Sequence, residues 1–280
     1  MLGAAPTVIH VVERQMKVPI AVLATDLDGT LIPNLDESLE VEALSKLSTL
    51  IVDAGLKLLF VTGRSYSLTI DAIEQFRLPP PDAILCDVGS CLMERAGDQG
   101  YGISEVYQAA MTNNLQGWTH ARICEGVRSA GLPLELQDAT RQTNAKCSFY
   151  FDGPDLSLIE KRTSEWIADQ GAPLQMVISV DPIDSRGLLD LLPKGVNKAF
   201  GLHWWRESQG FDHKQIVFAG DSGNDTAAMV SGVRSIVVAN AADSLIQAAR
   251  HHHRDSGDLV LAKRNATCGV LDGLRHFLDL

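Results

Sequence analysis

Ile20-Ala21-Val22-Leu23-Ala24-Thr25-Asp26-Leu27-Asp28-Gly29-Thr30 is the stretch on which the fold turns. Its apolar residues run on without alternation, which suits a strand covered on both faces, as in a parallel sheet between helix layers. The run stops at two carboxylates and a glycine, so charge gathers where the strand ends. Two other segments repeat this grammar. Leu56-Lys57-Leu58-Leu59-Phe60-Val61 leads into Thr62-Gly63-Arg64, and Gln215-Ile216-Val217-Phe218-Ala219 leads into Gly220-Asp221-Ser222-Gly223-Asn224-Asp225.

Between and after these strands the apolar residues recur at helical spacing. Leu39, Ala43, Leu44, Leu47, Leu50 and Ile51 define a helix from about 37 that Gly55 stops. Further helices are predicted over 65–76, 196–207, 224–230 and 241–250 and from 267, with strands over 83–86, 235–239 and 258–262. Strand and helix in alternation predict an α/β chain with a doubly wound, Rossmann-like, mostly parallel sheet. From about 107 to 192 the rhythm changes. One helix over 114–130, strands over 147–151, 176–180 and 188–192, and a helix over 156–170 read as a smaller inserted α+β unit. The predicted organisation is therefore a discontinuous core, 18–106 and 193–280, with a cap over 107–192. The glycine-rich segment 97–102 reads as a hairpin turn. Residues 1–17 show no period.

Composition narrows the function classes. Thirty-five Asp and Glu against 24 Lys and Arg leave a net charge of −11, which repels nucleic-acid backbones and anionic membranes. No apolar run reaches membrane-spanning length. The N-terminal segment lacks the early basic patch and apolar block of a secretory signal, so the expected location is the cytoplasm. Cys86, Cys91, Cys124, Cys147 and Cys268 form no C-x-x-C pair and are expected as reduced thiols rather than disulfides or zinc ligands. His251-His252-His253 reads as a solvated helix end.

Ligands of open α/β sheets bind beyond the carboxyl ends of the strands. Asp26, Asp28, Asp221 and Asp225 converge there. Four carboxylates in one place repel unless a cation sits among them, and an all-oxygen set suits Mg²⁺. One of Asp26 and Asp28 can attack phosphorus while the other handles protons. Thr30 offers a hydroxyl to a phosphate oxygen. Thr62, Gly63 and Arg64 form an anion site at a helix start, and Lys198 can neutralise charge. Taken singly, each element reads as well as an ordinary turn or a solvated lysine. Their common placement at strand ends, in one order, favours chemistry.

Asp26-Leu27-Asp28-Gly29-Thr30, Val61-Thr62-Gly63-Arg64, Lys198 and the Gly220–Asp225 loop together resemble the four motifs of the haloacid dehalogenase superfamily. The resemblance implies a phosphatase in which Asp26 forms an aspartyl-phosphate and Asp28 is the general acid and base. Thr62 and Asn224 then belong to the phosphate site. Mg²⁺ lies on Asp26, Asp221, Asp225 and the carbonyl of Asp28. Val61–Ser67, Asp87–Ser90, Lys146–Asp152, Asp190–Ala199, the Asn240-Ala241 step and Asn265–Phe277 are similar to the sucrose-6-phosphate phosphatase family. This implies a small-molecule sugar phosphate as substrate, with Gln142, Lys146 and Asn240 as sugar contacts and a cap that closes over it. The cap departs from the pattern: Arg141 stands where the family has glutamate, and Leu188 where aspartate is frequent. An arginine there would greet a second acidic group, as in a glycosyl-glycerate phosphate. A phosphomutase-type transferase and a non-catalytic partner of a sugar-phosphate synthase are the competing readings.

Overall fold

The computed structural model describes residues 18–34, 37–97, 100–180, 185–254 and 256–280; the aperiodic stretch 1–17 lies outside them. In chain order the elements begin with β1 (Val22–Thr25), α1 (Ser38–Asp53), β2 (Lys57–Val61), α2 (Tyr66–Phe76), β3 (Ala83–Cys86), β4 (Cys91–Arg95) and β5 (Tyr101–Ile103). Next come α3 (Glu105–Asn114), α4 (His120–Ser129), β6 (Glu135–Leu136), β7 (Cys147–Asp152), α5 (Leu156–Asp169), β8 (Leu174–Val180) and β9 (Arg186–Pro193). The chain closes with α6 (Lys198–Gln209), β10 (Ile216–Gly220), α7 (Thr226–Met229), β11 (Arg234–Val237), α8 (Asp243–His252), β12 (Leu259–Leu261) and α9 (Ala266–Phe277).

The large sheet has the order β12-β11-β10-β1-β2-β3-β4-β5. It is parallel from β12 to β3, and β4 and β5 join as antiparallel edge strands. Alternate residues of one strand feed two separate cores. Leu23 packs with α1 and α9 through Leu44, Leu47, Leu271 and Leu274. Val22 and Ala24 pack on the other face with α6, α7 and α8 through Leu202, Trp205, Met229 and Leu245. Both faces are thus dry, as the unbroken apolar run at 20–24 predicted. The winding reverses between β1 and β10, and the crevice at that switch point is where such sheets bind ligands.

The second sheet, β6-β7-β9-β8, is antiparallel. Cys147, Phe149 and Phe151 of β7 and Leu189 and Leu191 of β9 belong to a core that also holds Ile123 and Val127 of α4 and Ile159 and Trp166 of α5. The intervening residues face the other way, so Ser148 opposite Asp190 and Tyr150 opposite Leu188 share the sheet's second face.

Three local expectations needed correction. The helix expected over 114–130 covers only His120–Ser129, and a separate helix, α3, ends at Asn114. Gln116 and Gly117 both take positive φ (49° and 86°) and break the chain turn, and the Thr119 hydroxyl then caps α4 by accepting from Arg122 N–H at 3.2 Å. The helix over 224–230 shrinks to the single turn of α7, because Gly223–Asp225 is spent on a tight loop. The boundary drawn at 107 falls inside α3. Tyr107 there is fully buried, donates to Gly89 O at 2.5 Å and packs edge-on against Trp204 of α6 at 4.8 Å, so this helix sits on the core. Among the described residues no helix is long and apolar enough to cross a membrane, and all five cysteines are free thiols.

Candidate active site

Asp26 ends β1 with its N–H bonded to Ala219 O of β10 at 2.9 Å. The backbone then turns through Leu27–Leu31, with Gly29 at φ 72°. A side chain at Gly29 would be strained there and would run into the Asp221 carboxylate. Glycine therefore lets the loops after β1 and β10 touch. Asn240 clamps the same turn, donating from Nδ2 to Gly29 O at 2.7 Å while its Oδ1 accepts from Ala266 N–H at 2.9 Å.

Lys198, the first residue of α6, is fully buried with its Nζ 2.8 Å from Asp26 Oδ1 and 2.7 Å from Asp225 Oδ1. Asn197 caps this helix through Phe200 N–H at 3.0 Å, so a single turn of α6 aims the ammonium at both carboxylates. The second oxygen of Asp225 accepts from the N–H groups of Asp221 (3.1 Å) and Ser222 (3.0 Å). Asp221 itself accepts from the Thr30 hydroxyl at 3.1 Å. Oxygens of Asp26, Asp221 and Asp225 lie within 4.8 Å of one another.

Three carboxylates thus face one ammonium. Burial pushes the Asp26 carboxyl up to about 7, against the pull of Lys198 and with a further push from Asp225. Burial and Asp225 also raise Asp221. Lys198 is held above its ordinary range: burial opposes its charge, but the two carboxylates outweigh it. The excess negative charge on a wholly oxygen donor set fits a hard divalent cation.

Arg64 grips both oxygens of Asp28, Nε to Oδ2 at 2.7 Å and a terminal nitrogen to Oδ1 at 2.6 Å. Asp28 points to the exposed mouth, outside the cluster of the other three. The buried Thr62 hydroxyl accepts from Arg64 N–H at 3.1 Å and keeps its own proton to donate. Asn224 faces Gly63 across the cleft; a Cβ added there would come 3.8 Å from its amide nitrogen.

A model of the Sucrose-6F-phosphate phosphohydrolase family matches residues 19–278. The chain belongs to that family. It is a phosphatase. A HAD-like hydrolase of Nitrosococcus oceani is 33% identical over 91% of the chain and 71% of the relative. The mannosylfructose-phosphate phosphatase of Agrobacterium fabrum is 27% identical over 92% of the chain and 97% of the relative. Among solved structures, the sucrose-phosphatase of Synechocystis in complex with sucrose and phosphate superposes with a TM-score of 0.70 at 24% identity, covering 93% and 98% of the two chains; that likeness concerns the fold.

Within this phosphatase the residues expected on the sugar fare differently. Gln142 spends its whole amide inside the cap: Nε2 donates to Gln137 O (3.0 Å) and Ser148 O (2.9 Å), and Oε1 accepts from Ser148 N–H at 2.9 Å. Asn240 is spent on the Gly29 turn. Lys146 reaches from the cap to the core, 2.5 Å from Asp87 Oδ1 and 3.9 Å from Asp190. Asp87 and Asp190 were missed as individual residues, although both open segments that carried the family resemblance. Asp87 heads a loop in which it, Val88 and Gly89 all take positive φ (50°, 56° and 92°). Left-handed backbone at two non-glycine residues costs about 1–3 kcal/mol each and persists only where the surroundings enforce it. Here Lys146 and the N-cap of α6 do so: a Cβ at Gly89 would strike Asn197.

Proposed function

We propose that the chain is a Mg²⁺-dependent sugar-phosphate phosphatase with sucrose 6-phosphate as its first candidate substrate. The buried Asp26–Lys198–Asp225 arrangement, with Asp221 beside it, carries the reading. Asp26, Asp221, Asp225 and the carbonyl of Asp28 would hold the cation, which supplies charge to offset the transferring phosphoryl group. Lys198 holds Asp26 in one rotamer and adds its own charge.

An Asp26 oxygen attacks phosphorus, the bond from phosphorus to the sugar oxygen breaks, and Asp28, which takes up a proton from solvent and leaves the Arg64 clamp as substrate binds, gives that oxygen the proton. Water then attacks the aspartyl-phosphate, Asp28 takes its proton, and inorganic phosphate leaves with Asp26 restored. The Thr62 hydroxyl and Asn224 orient the phosphate. Until substrate binds, the Arg64 clamp holds the Asp28 carboxylate at the rim. The antiparallel sheet, with Lys146 bridging to Asp87, serves as the cap that excludes water.

A specific observation favours a second substrate. Burial raises the Asp87 carboxyl, Lys146 pulls it back, and Arg141 of the cap adds a smaller pull of the same sign. A guanidinium whose charge reaches the cap–core junction suits a sugar phosphate carrying a further acid, such as a glycosyl-3-phosphoglycerate. Phosphate release across sucrose 6-phosphate, glycosyl-3-phosphoglycerates, trehalose 6-phosphate and hexose phosphates decides between them. Asp26→Asn, which keeps the side chain's shape, should cut release by about 10⁴-fold or more. Ordinary turnover in that variant would remove the mechanism.

A further inference from the structure

The cap holds a second group of ligating atoms that phosphate chemistry does not use. A ring nitrogen of His120 and the thiols of Cys124 and Cys147 lie within 4.8 Å of one another. His120 and Cys124 stand one turn apart at the start of α4, hence on one face, and Cys147 opens β7. The Cys124 Sγ is 3.7 Å from His120 Nδ1. Cys147 is fully buried, while His120 and Cys124 are half-buried, so the group is open on one side.

Gln142 prepares the imidazole. Its Nε2 is committed to two carbonyls, so the atom 3.2 Å from His120 Nε2 is an oxygen that can only accept. In the neutral ring His120 Nε2 therefore carries the proton, which leaves a lone pair on Nδ1, 3.7 Å from Cys124 Sγ against 4.0 Å for Nε2. A carboxamide oxygen fixing one ring nitrogen while the other lies beside a thiol is how metal-binding histidines are oriented. Two sulfurs and an imidazole select thiophilic cations over the hard cation that suits the carboxylates.

We infer that His120, Cys124 and Cys147 form a binding site for a thiophilic divalent cation of the zinc class. Binding is not a redox step: the two thiols lose their protons to solvent, and Nδ1 gives its lone pair. The site would tie α4 to β7 one residue from Lys146, the arm that reaches the core.

The test uses the reduced full-length protein, with excess Mg²⁺ on the carboxylates, titrated with Co²⁺ and then Zn²⁺. Expected is a thiolate-to-cobalt absorption band that saturates at one equivalent, is erased by Zn²⁺ and is lost in Cys124→Ser. His120→Asn should weaken Co²⁺ binding by about tenfold or more. Both variants change half-buried positions, and melting curves check that they fold. Absence of the band in the wild type, or an unchanged band in Cys124→Ser, overturns the site and leaves a thiol hydrogen-bonded to an imidazole. Carboxylate-bound Co²⁺ gives no such band, so the outcome does not depend on the phosphatase mechanism.

Discussion

The core and the cap use polar side chains in opposite ways. In the core, Asp26, Lys198, Asp225, Asp221 and Thr30 bond to one another across loops from β1, β10 and α6, and they leave a surplus of negative charge directed at an open cleft. In the cap, Gln142 is satisfied within the cap itself, and Lys146 is neutralised by Asp87. A strand end in a parallel sheet delivers its next residue to the ligand crevice whatever the rest of the chain does. A polar residue in a small antiparallel sheet has no such default, and its role depends on what packs over it.

Variants in the two regions should therefore fail differently. The largest effect is expected from Lys198→Met, which strands Asp26 and Asp225 as unpaired buried carboxylates. A stability loss of about 5 kcal/mol together with loss of turnover is expected, read by melting and phosphate release. A stable but inactive variant would show that the core pair is catalytic without being structural. Lys146→Met should cost less, about 3 kcal/mol, because it strands one closely paired buried carboxylate, Asp87, where Lys198 holds two. Adding Asp87→Asn should recover much of that loss, and a failure to recover would break the view of this pair as a self-contained cap–core tie. Smallest is Gln142→Leu, which removes the side-chain partner of the Ser148 N–H and of Gln137 O and leaves Ser148 O with its bond from Gln137 N–H. A drop of about 2 kcal/mol with KM unchanged is expected. A raised KM at unchanged melting temperature would reinstate Gln142 as a sugar contact.

Some features were legible because each depends on local rules alone. An unbroken apolar run at 20–24 requires two dry faces, and the two cores on either side of β1 supply them. Asp26, Lys198, Asp221 and Asp225 were identified from their positions at strand ends and a helix start. The break between α3 and α4 was missed because Gln116, which takes a left-handed conformation, carries no sequence mark beyond its neighbour Gly117. The turn read over 97–102 falls partly outside the described residues, at 98–99, and Tyr101 and Gly102 belong to β5; β4 beside it was not read, since Cys91-Leu92-Met93-Glu94-Arg95 has too weak a period to stand out.

By itself, then, the sequence determined the winding of the core and the residues at its switch point, because periodicity and strand-end placement act over a few residues. Only the tertiary structure decided the partners of long polar side chains: Arg64 on Asp28, Lys146 on Asp87, Asn240 on the Gly29 turn, and Cys147 beside His120 and Cys124. The last of these contacts joins residues 27 positions apart. Pairings of that kind arise from how α4 packs on β7, and no local spacing encodes them.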